Sequence, residues 1–351
     1  MVSDPVWAQR RGERLDVLHK KLADAVNRLV TGEDWVQAVK FAARFRTRSF
    51  ANTLLIHLQH ADAYDKGLVA ARYPTLVAGY RQWETLGCQV AKGQRGYMIQ
   101  APVTARFATA TPGDEGSWRK LGFREKPQAA EVTRTRLVCV KPAFVFDVSQ
   151  LAPDSVVPRQ PQPELLAGQA APGLWDGLAQ IIRSESFSVQ MVPDAGSLGG
   201  ANGVTDYLTR MVSVRTDMDE AAQVKTLAHE LAHVLMHDPA SEAALSHRGI
   251  GEVEAESTAM MILAAHNMPT DCYTVPYVAS WAASVPGRTP GEVVQATGEK
   301  VRSAALAVLG RLETTQTGGG DPPGLARNTP GREPSPLALV AATPQAAGLG
   351  I

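Results

Sequence analysis

The chain has 351 residues, 44% of them hydrophobic and 20% charged, with Lys and Arg matching Asp and Glu at 35 each. That is enough apolar chain for two ordinary cores, but no run of about 20 apolar residues exists to span a membrane, and the start, MVSDPVWAQRRGERLD, lacks a signal-peptide core. Neutrality hides a division, because residues 1–150 hold 23 basic against 14 acidic side chains and the remainder 12 against 21, so an anionic partner is expected for the first half. The cysteines Cys88, Cys139 and Cys272 are odd in number, far apart and without C-x-x-C spacing, which suits core thiols in a cytoplasmic protein.

Leu15, Leu18, Leu22, Ala25, Val26 and Leu29 recur at helical spacing, and Gly32 ends that helix. EDWVQAVKFAARF starts a second helix with basic residues at its end, and SFANTLLIHLQHADAY a third with Ser49 as N-cap. AGYRQWETLG is a short helix, and QVAKGQRGYMIQAPV reads as a hairpin whose turn is Lys92-Gly93-Gln94-Arg95-Gly96. Residues 104–132 read as an irregular excursion, after which RTRLVCVKPAFVFDVSQ restores strand character. Single-stranded DNA needs cations that track phosphates and aromatic faces on which bases stack. Arg44, Arg46, Arg48, Arg72, Arg81, Lys92 and Arg95 supply the former, and Tyr73, Tyr80 and Tyr97 the latter, whereas Trp83 is more often core.

SFANTLLIHLQHADA, VAGYRQWETLGCQVAKGQRGYMIQAPV and FVFDVSQ resemble the amino-terminal single-stranded-DNA-binding domain of ArdC-like antirestriction proteins over residues 10–150. One departure is Arg48, which stands where an aromatic usually precedes the Ser of the Ser-Phe-x-Asn block. Such proteins carry a zinc-metallopeptidase-like domain behind the DNA-binding one.

A proline-rich linker, 151–164, leads to the second domain at 165–313. A helix from about Gly173 precedes the strand FSVQMVPD. The run Gly199-Gly200-Ala201-Asn202-Gly203 reads as a hairpin turn, since no Lys-Ser/Thr follows to make a phosphate loop. YLTRMVSVRTDM is then the strand that feeds the next helix and offers an edge to an extended peptide. That helix, Asp219 to Asp238, has Asp219 as N-cap and carries His-Glu-x-x-His. On it His229 and His233 lie about 6 Å apart along the axis at roughly 1.5 Å per residue, on one face, able to bind one Zn2+ with Glu230 placed as base. Two hydrogen-bonded histidines on a buried helix are the bland alternative.

A catalytic zinc wants a third protein ligand and an open position. GEVEAESTAMMILAAH, Gly251 to His266, reads as helix with Glu252 and Glu256 on one face and Glu254 turned to solvent. Glu252 is assigned as third ligand and Glu256 as the carboxylate orienting a ligand histidine. The reverse is the alternative, and His237 is a competing ligand. AHELAHVLMH, RGIGEVEAESTAMMI and YTVPYVASW resemble the ImmA/IrrE type of zinc metallopeptidase domain, in which a Glu-x-x-Ala-polar motif supplies the third ligand. Here that motif is Glu252-Val253-Glu254-Ala255-Glu256. Tyr207, His237 and His247 are unranked candidates for stabilising an oxyanion.

Residues 289–313 form a last amphipathic helix, and 314–351 read as a disordered tail. The expected fold is α+β: a helical and β-hairpin domain followed by a zincin-like one. The function the resemblance implies is antirestriction, protecting incoming plasmid or phage DNA, with single-stranded DNA and a protein substrate as expected partners and Zn2+ as expected cofactor. The alternatives are a DNA-binding shield with a structural zinc, and a repressor-cleaving protease with no DNA role.

Overall fold

A computed structural model describes residues 5–122, 124–157, 168–237, 248–270, 278–283, 285 and 287–323. In chain order come α1 (Pro5–Asn27), α2 (Gly32–Arg44), α3 (Phe50–Asp65), β1 (Val77–Gly79), α4 (Tyr80–Thr85), β2 (Tyr97–Thr109), β3 (Arg119–Lys120) and β4 (Val132–Asp147). They are followed by α5 (Leu174–Ser184), β5 (Ser188–Val192), β6 (Gly203–Asp206), β7 (Met211–Arg215), α6 (Glu220–Met236), α7 (Arg248–Ala265), α8 (Val278–Ala282) and α9 (Pro290–Leu309). The architecture is α+β. No described helix is long and apolar enough to cross a membrane. His247, Cys272, residues 158–164 of the expected linker, residues 273–277 and residues 324–351 lie outside the described residues.

Two compact units form. One takes in residues 5–20 and 98–144, the other residues 21–97 and 145–323. In the first, β4, β2 and β3 lie side by side in that order, with Phe107 opposite Lys120 and Ala108 opposite Arg119. The Arg136 guanidinium sits over the rings of Trp118 (5.0 Å) and Phe107 (5.7 Å). Arg119 pairs with both Glu125 and Glu131, pinning the chain between β3 and β4. The excursion expected at 104–132 is therefore shorter, because β2 continues to Thr109 and finds a partner in β3.

In the second unit β1 pairs antiparallel with the last residues of β4, Val77 opposite Asp147. Trp83 is fully buried against this pair, and its Nε1 donates to the Phe146 carbonyl at 3.0 Å. The hairpin expected after Gln89 does not form: Val90 makes an isolated bridge to Leu151 instead, and Gly93, at φ +88°, turns the chain toward β2.

Short polar caps open the helices. Thr31 and Asp34 close a reciprocal box on α2, as do Thr289 and Glu292 on α9, and the Ser49 hydroxyl accepts from the Asn52 N–H on α3. At the centre lies α7, packed against α6, α2 and α9. Its small residues Ala255 and Ala259 are fully buried, which permits that approach. Trp35 of α2 donates to Ser257 of α7 at 2.8 Å in the interior. The stretch beyond α9, expected to lack structure from 314, is held through residues 314–323: Thr317 N–H reaches the Ala265 carbonyl (2.7 Å) and Val77 N–H the Gly320 carbonyl (2.9 Å). Those backbone bonds supply an anchor that composition does not reveal.

The other sheet of this unit runs β5-β7-β6, with β5 parallel and β6 antiparallel to β7. The strand that feeds α6, β7, is thus the middle strand and not an edge. The run SLGGANGVTD is not all turn, since its last residues are β6. The hairpin turn falls instead at 207–210, where Asp206 accepts from the N–H groups of Leu208 and Thr209.

Candidate metal centre

Asp219 starts α6 by accepting the Ala222 N–H at 2.7 Å. Leu227, Ala228, Leu231 and Ala232, all fully buried, fix which way the helix faces. His229 and His233 leave it one turn apart, their rings edge to face at 4.7 Å between centroids and their Nε2 atoms 3.0 Å apart. From α7, Glu252 places Oε2 3.5 Å from His229 Nε2 and Oε1 3.5 Å from His233 Nε2. One donor atom from each of the three lies within 4.8 Å of the others. Donors about 2.0–2.1 Å from a tetrahedral ion stand about 3.3–3.4 Å apart. Two imidazole nitrogens and a carboxylate at these spacings therefore fit a divalent cation with small side-chain adjustments. The Glu252 side chain is 66% exposed, so the group opens to solvent on that side.

Glu256 lies behind the rings. Its Oε2 is 3.1 Å from His229 Nδ1 and its Oε1 3.1 Å from Lys225 Nζ. Burial alone would lower the His229 pKa, but the hydrogen bonds to Glu252 and Glu256 outweigh it and raise it to about 9. The same contacts with His229 and His233 hold Glu252 well below the usual carboxylate range. For Glu256 burial pushes upward, and His229 and Lys225 together prevail to lower it. The carboxylates thus give the pocket a negative potential that favours a positive charge placed within it, as a cation site requires.

Glu230 is 6% exposed, and its Oε2 accepts the Thr205 hydroxyl at 2.6 Å. Gly203 of β6 makes this contact possible. A Cβ there would stand 2.5 Å from Thr226 Cγ2 and 3.0 Å from Glu230 Oε1, so only glycine lets the strand lie this close to α6. Tyr207 O–H donates to the His233 carbonyl at 2.8 Å and braces the helix. His237 follows the end of α6. Its Nδ1 is 3.0 Å from His233 Nδ1 and its Nε2 2.9 Å from Glu254 Oε2, so both ring nitrogens are engaged away from Glu252. Glu254, expected in solvent, is 5% exposed. The face of α7 opposite Glu256 does not meet water, because α9 brings Lys300 onto that carboxylate.

Thr205 and Lys300 escaped sequence reasoning. A four-residue strand shows no periodicity, and a lysine 46 positions from its acid carries no local signal.

Among the expected DNA contacts, Arg44, Arg72, Arg81, Lys92 and Arg95 are exposed. Arg46 is turned onto the carbonyls of Thr317 and Gly318, and Arg48 pairs with Asp321 at 2.9 Å and also donates to the Val77 carbonyl. Tyr97 is 3% exposed with its hydroxyl 3.0 Å from His60 Nδ1, so its ring is no stacking platform. Tyr73 and Tyr80 are half exposed.

Comparison with known proteins divides the chain in the same order. Residues 18–146 match the family described as the N-terminal domain of anti-restriction factor ArdC. Residues 190–274, which include His229, His233 and Glu252, match the M78 peptidase family described as the IrrE N-terminal-like domain. The uncharacterized protein pXO2-81 of Bacillus anthracis is 24% identical over 293 residues, covering 78% of this chain and 47% of that protein, so the chain spans about half of that relative's length. The metal-free crystal structure of the antirestriction protein ArdC from plasmid R388 is 17% identical with a TM-score of 0.46, over 83% of this chain and 97% of that one. Its Mn(II)-bound form is 18% identical with a TM-score of 0.41, over 74% and 87%.

Proposed function

We propose, from the premise that the chain joins an ArdC-type amino-terminal domain to an IrrE-type, M78 peptidase-like domain, that it is an antirestriction-type protein which binds single-stranded DNA and hydrolyses peptide bonds with a divalent metal. The domain bounds we propose are 10–150 and 165–313. The observation that carries the hydrolase reading is the meeting of His229, His233 and Glu252 around one point, open to solvent on the Glu252 side.

His229 and His233 would hold the cation, Zn2+ in this reading, through Nε2 and Glu252 through a carboxylate oxygen. Bound Zn2+ supplies Lewis acidity and brings the pKa of water near neutrality. Glu256 fixes the His229 ring by accepting at Nδ1. Glu230 takes a proton from the attacking water and returns it to the amine nitrogen as the C–N bond breaks. Thr205 O–H steadies the carboxylate that makes this exchange. Among the described residues β6 is an edge strand, and an extended peptide added along it would lie beside Glu230. Arg44, Arg72, Arg81, Lys92 and Arg95, with Tyr73 and Tyr80, are the expected side chains left exposed for DNA.

Metal analysis of the purified chain tests the site. One equivalent of a divalent metal is expected, absent from His233→Ala, and equal content in both would remove the proposed ligand set. For the biological role, Glu230→Gln keeps the ligands and removes the base. Undiminished protection of DNA by that variant would separate antirestriction from proteolysis.

A further inference from the structure

A buried carboxylate needs partners that replace water. Glu254, 5% exposed, has two on its Oε2: Lys300 Nζ from α9, and His237 Nε2 at 2.9 Å. An ionised carboxylate only accepts hydrogen bonds, so His237 carries its proton on Nε2. A neutral imidazole then has its lone pair on Nδ1, and that atom is 3.0 Å from His233 Nδ1. The proton between the two rings therefore belongs to His233 Nδ1, which leaves His233 Nε2 bare, 3.0 Å from His229 Nε2 and 3.5 Å from Glu252. For a neutral His237 beside an ionised Glu254, each link forces the next.

We propose that Lys300, Glu254 and His237 are a positioning set that locks His233 in the tautomer offering Nε2 to a divalent cation. The inference rests on reading His233 as a metal ligand. It explains why Glu254, which lies on the opposite side of α7 from Glu256, is buried and paired. Glu256, held by Lys225, serves His229 directly, whereas Glu254, held by Lys300, serves His233 through one intervening imidazole. It also gives His237 a role other than third ligand, since neither of its nitrogens is left over.

The test has two parts, both on the full 351-residue chain. Long-range 1H–15N correlation spectra of the metal-free protein should show His233 protonated on Nδ1 and bare on Nε2, and His237 protonated on Nε2. His237 donating from both nitrogens, with the His233 proton on Nε2, overturns the proposal. In the second part Co2+ affinity is measured by chelator competition and the cobalt d–d bands are recorded. His237→Leu should weaken Co2+ binding about 10–100-fold with the bands unchanged in position. His237→Asn, whose Oδ1 can stand where Nδ1 stood, should recover most of that loss. A purely packing role predicts the opposite order, because leucine fills the space better. Equal affinity in wild type and the Leu variant, equal loss in both variants, or shifted bands that make His237 a ligand would each overturn it. If the Leu variant does not fold, the wild-type spectra and the Asn variant decide. A wild type that takes up no Co2+ removes the metal reading itself, whereas normal uptake with no effect of the Leu variant removes only this inference.

Discussion

In the proposed mechanism Glu230, a side chain that is 6% exposed, exchanges a proton in every turnover. Its Thr205 bond leaves one oxygen for that work. Glu230→Gln preserves shape and cannot take the proton, so peptide cleavage should fall by about 10²–10⁴-fold with metal content unchanged. Cleavage of an unstructured protein, followed beside metal analysis, checks this, and retained turnover would dismiss Glu230 as base. His266 makes a different kind of prediction. It is fully buried, its Nδ1–H donates to the Ile262 carbonyl (2.7 Å), and its Nε2 accepts from the Thr314 hydroxyl (2.7 Å), an arrangement that suits the neutral ring. Burial pushes its pKa down, the Ile262 carbonyl opposes in part, and the Arg46 charge adds to the lowering. The folded value lies below the unfolded one, so the unfolded chain binds the proton first as pH falls. Stability from this group is complete above about pH 6.5 and is lost as pH drops toward the folded value, at no more than about 1.4 kcal/mol per pH unit. Urea midpoints at pH 7.5 and 5.5 should show that loss, and His266→Asn should flatten it while lowering stability at neutral pH.

Among the elements, β6 depends most on one residue. Gly203→Ala would put a methyl group 2.5 Å from Thr226 Cγ2, so the strand must lift from α6 or Thr226 and Glu230 must move. Either response costs about 1–3 kcal/mol. Equilibrium unfolding should show a loss in that range, with cleavage falling more than stability because Glu230 is displaced. An unchanged midpoint would mean that the strand is not pressed on the helix. Helix starts were legible in the sequence because caps are local: Asp219 and Ser49 each accept from an N–H three residues on. The juxtaposition of His229 and His233 was legible for the same reason, four residues being one turn. β6 was not, since it is four residues long beside a run of glycines, and neither was the burial of Glu254, which depends on a lysine from another helix. Tyr97 illustrates the same limit, for its aromatic ring and neighbouring cations fit a DNA platform until His60 claims the hydroxyl.

Across the whole molecule the charge is unevenly spread, and if the proposed DNA binding holds, its signature is a salt-dependent contact with an anionic polymer. Cations already committed inside the fold cannot contribute, which removes Arg46 and Arg48, held by the carbonyls of Thr317 and Gly318 and by Asp321. Arg44, Arg72, Arg81, Lys92 and Arg95 remain exposed, and of these Arg81, Lys92 and Arg95 are the three to replace. Each phosphate neutralised on a single strand contributes about 0.7 to the slope of log affinity against log salt. Replacing all three with Gln should therefore reduce the slope for a fluorescent oligo-dT by about 2 and weaken binding throughout the salt range. Tyr73→Ala should weaken binding with little change in slope, because a stacked base adds affinity and releases no counterion. Tyr97→Phe should leave DNA affinity alone while destabilising the fold by about 1 kcal/mol through the lost hydrogen bond to His60. If the wild-type chain has no affinity for the oligonucleotide at low salt, the basic excess of the first half serves some other partner. A slope unmoved by the triple replacement would shift the contact to other cations.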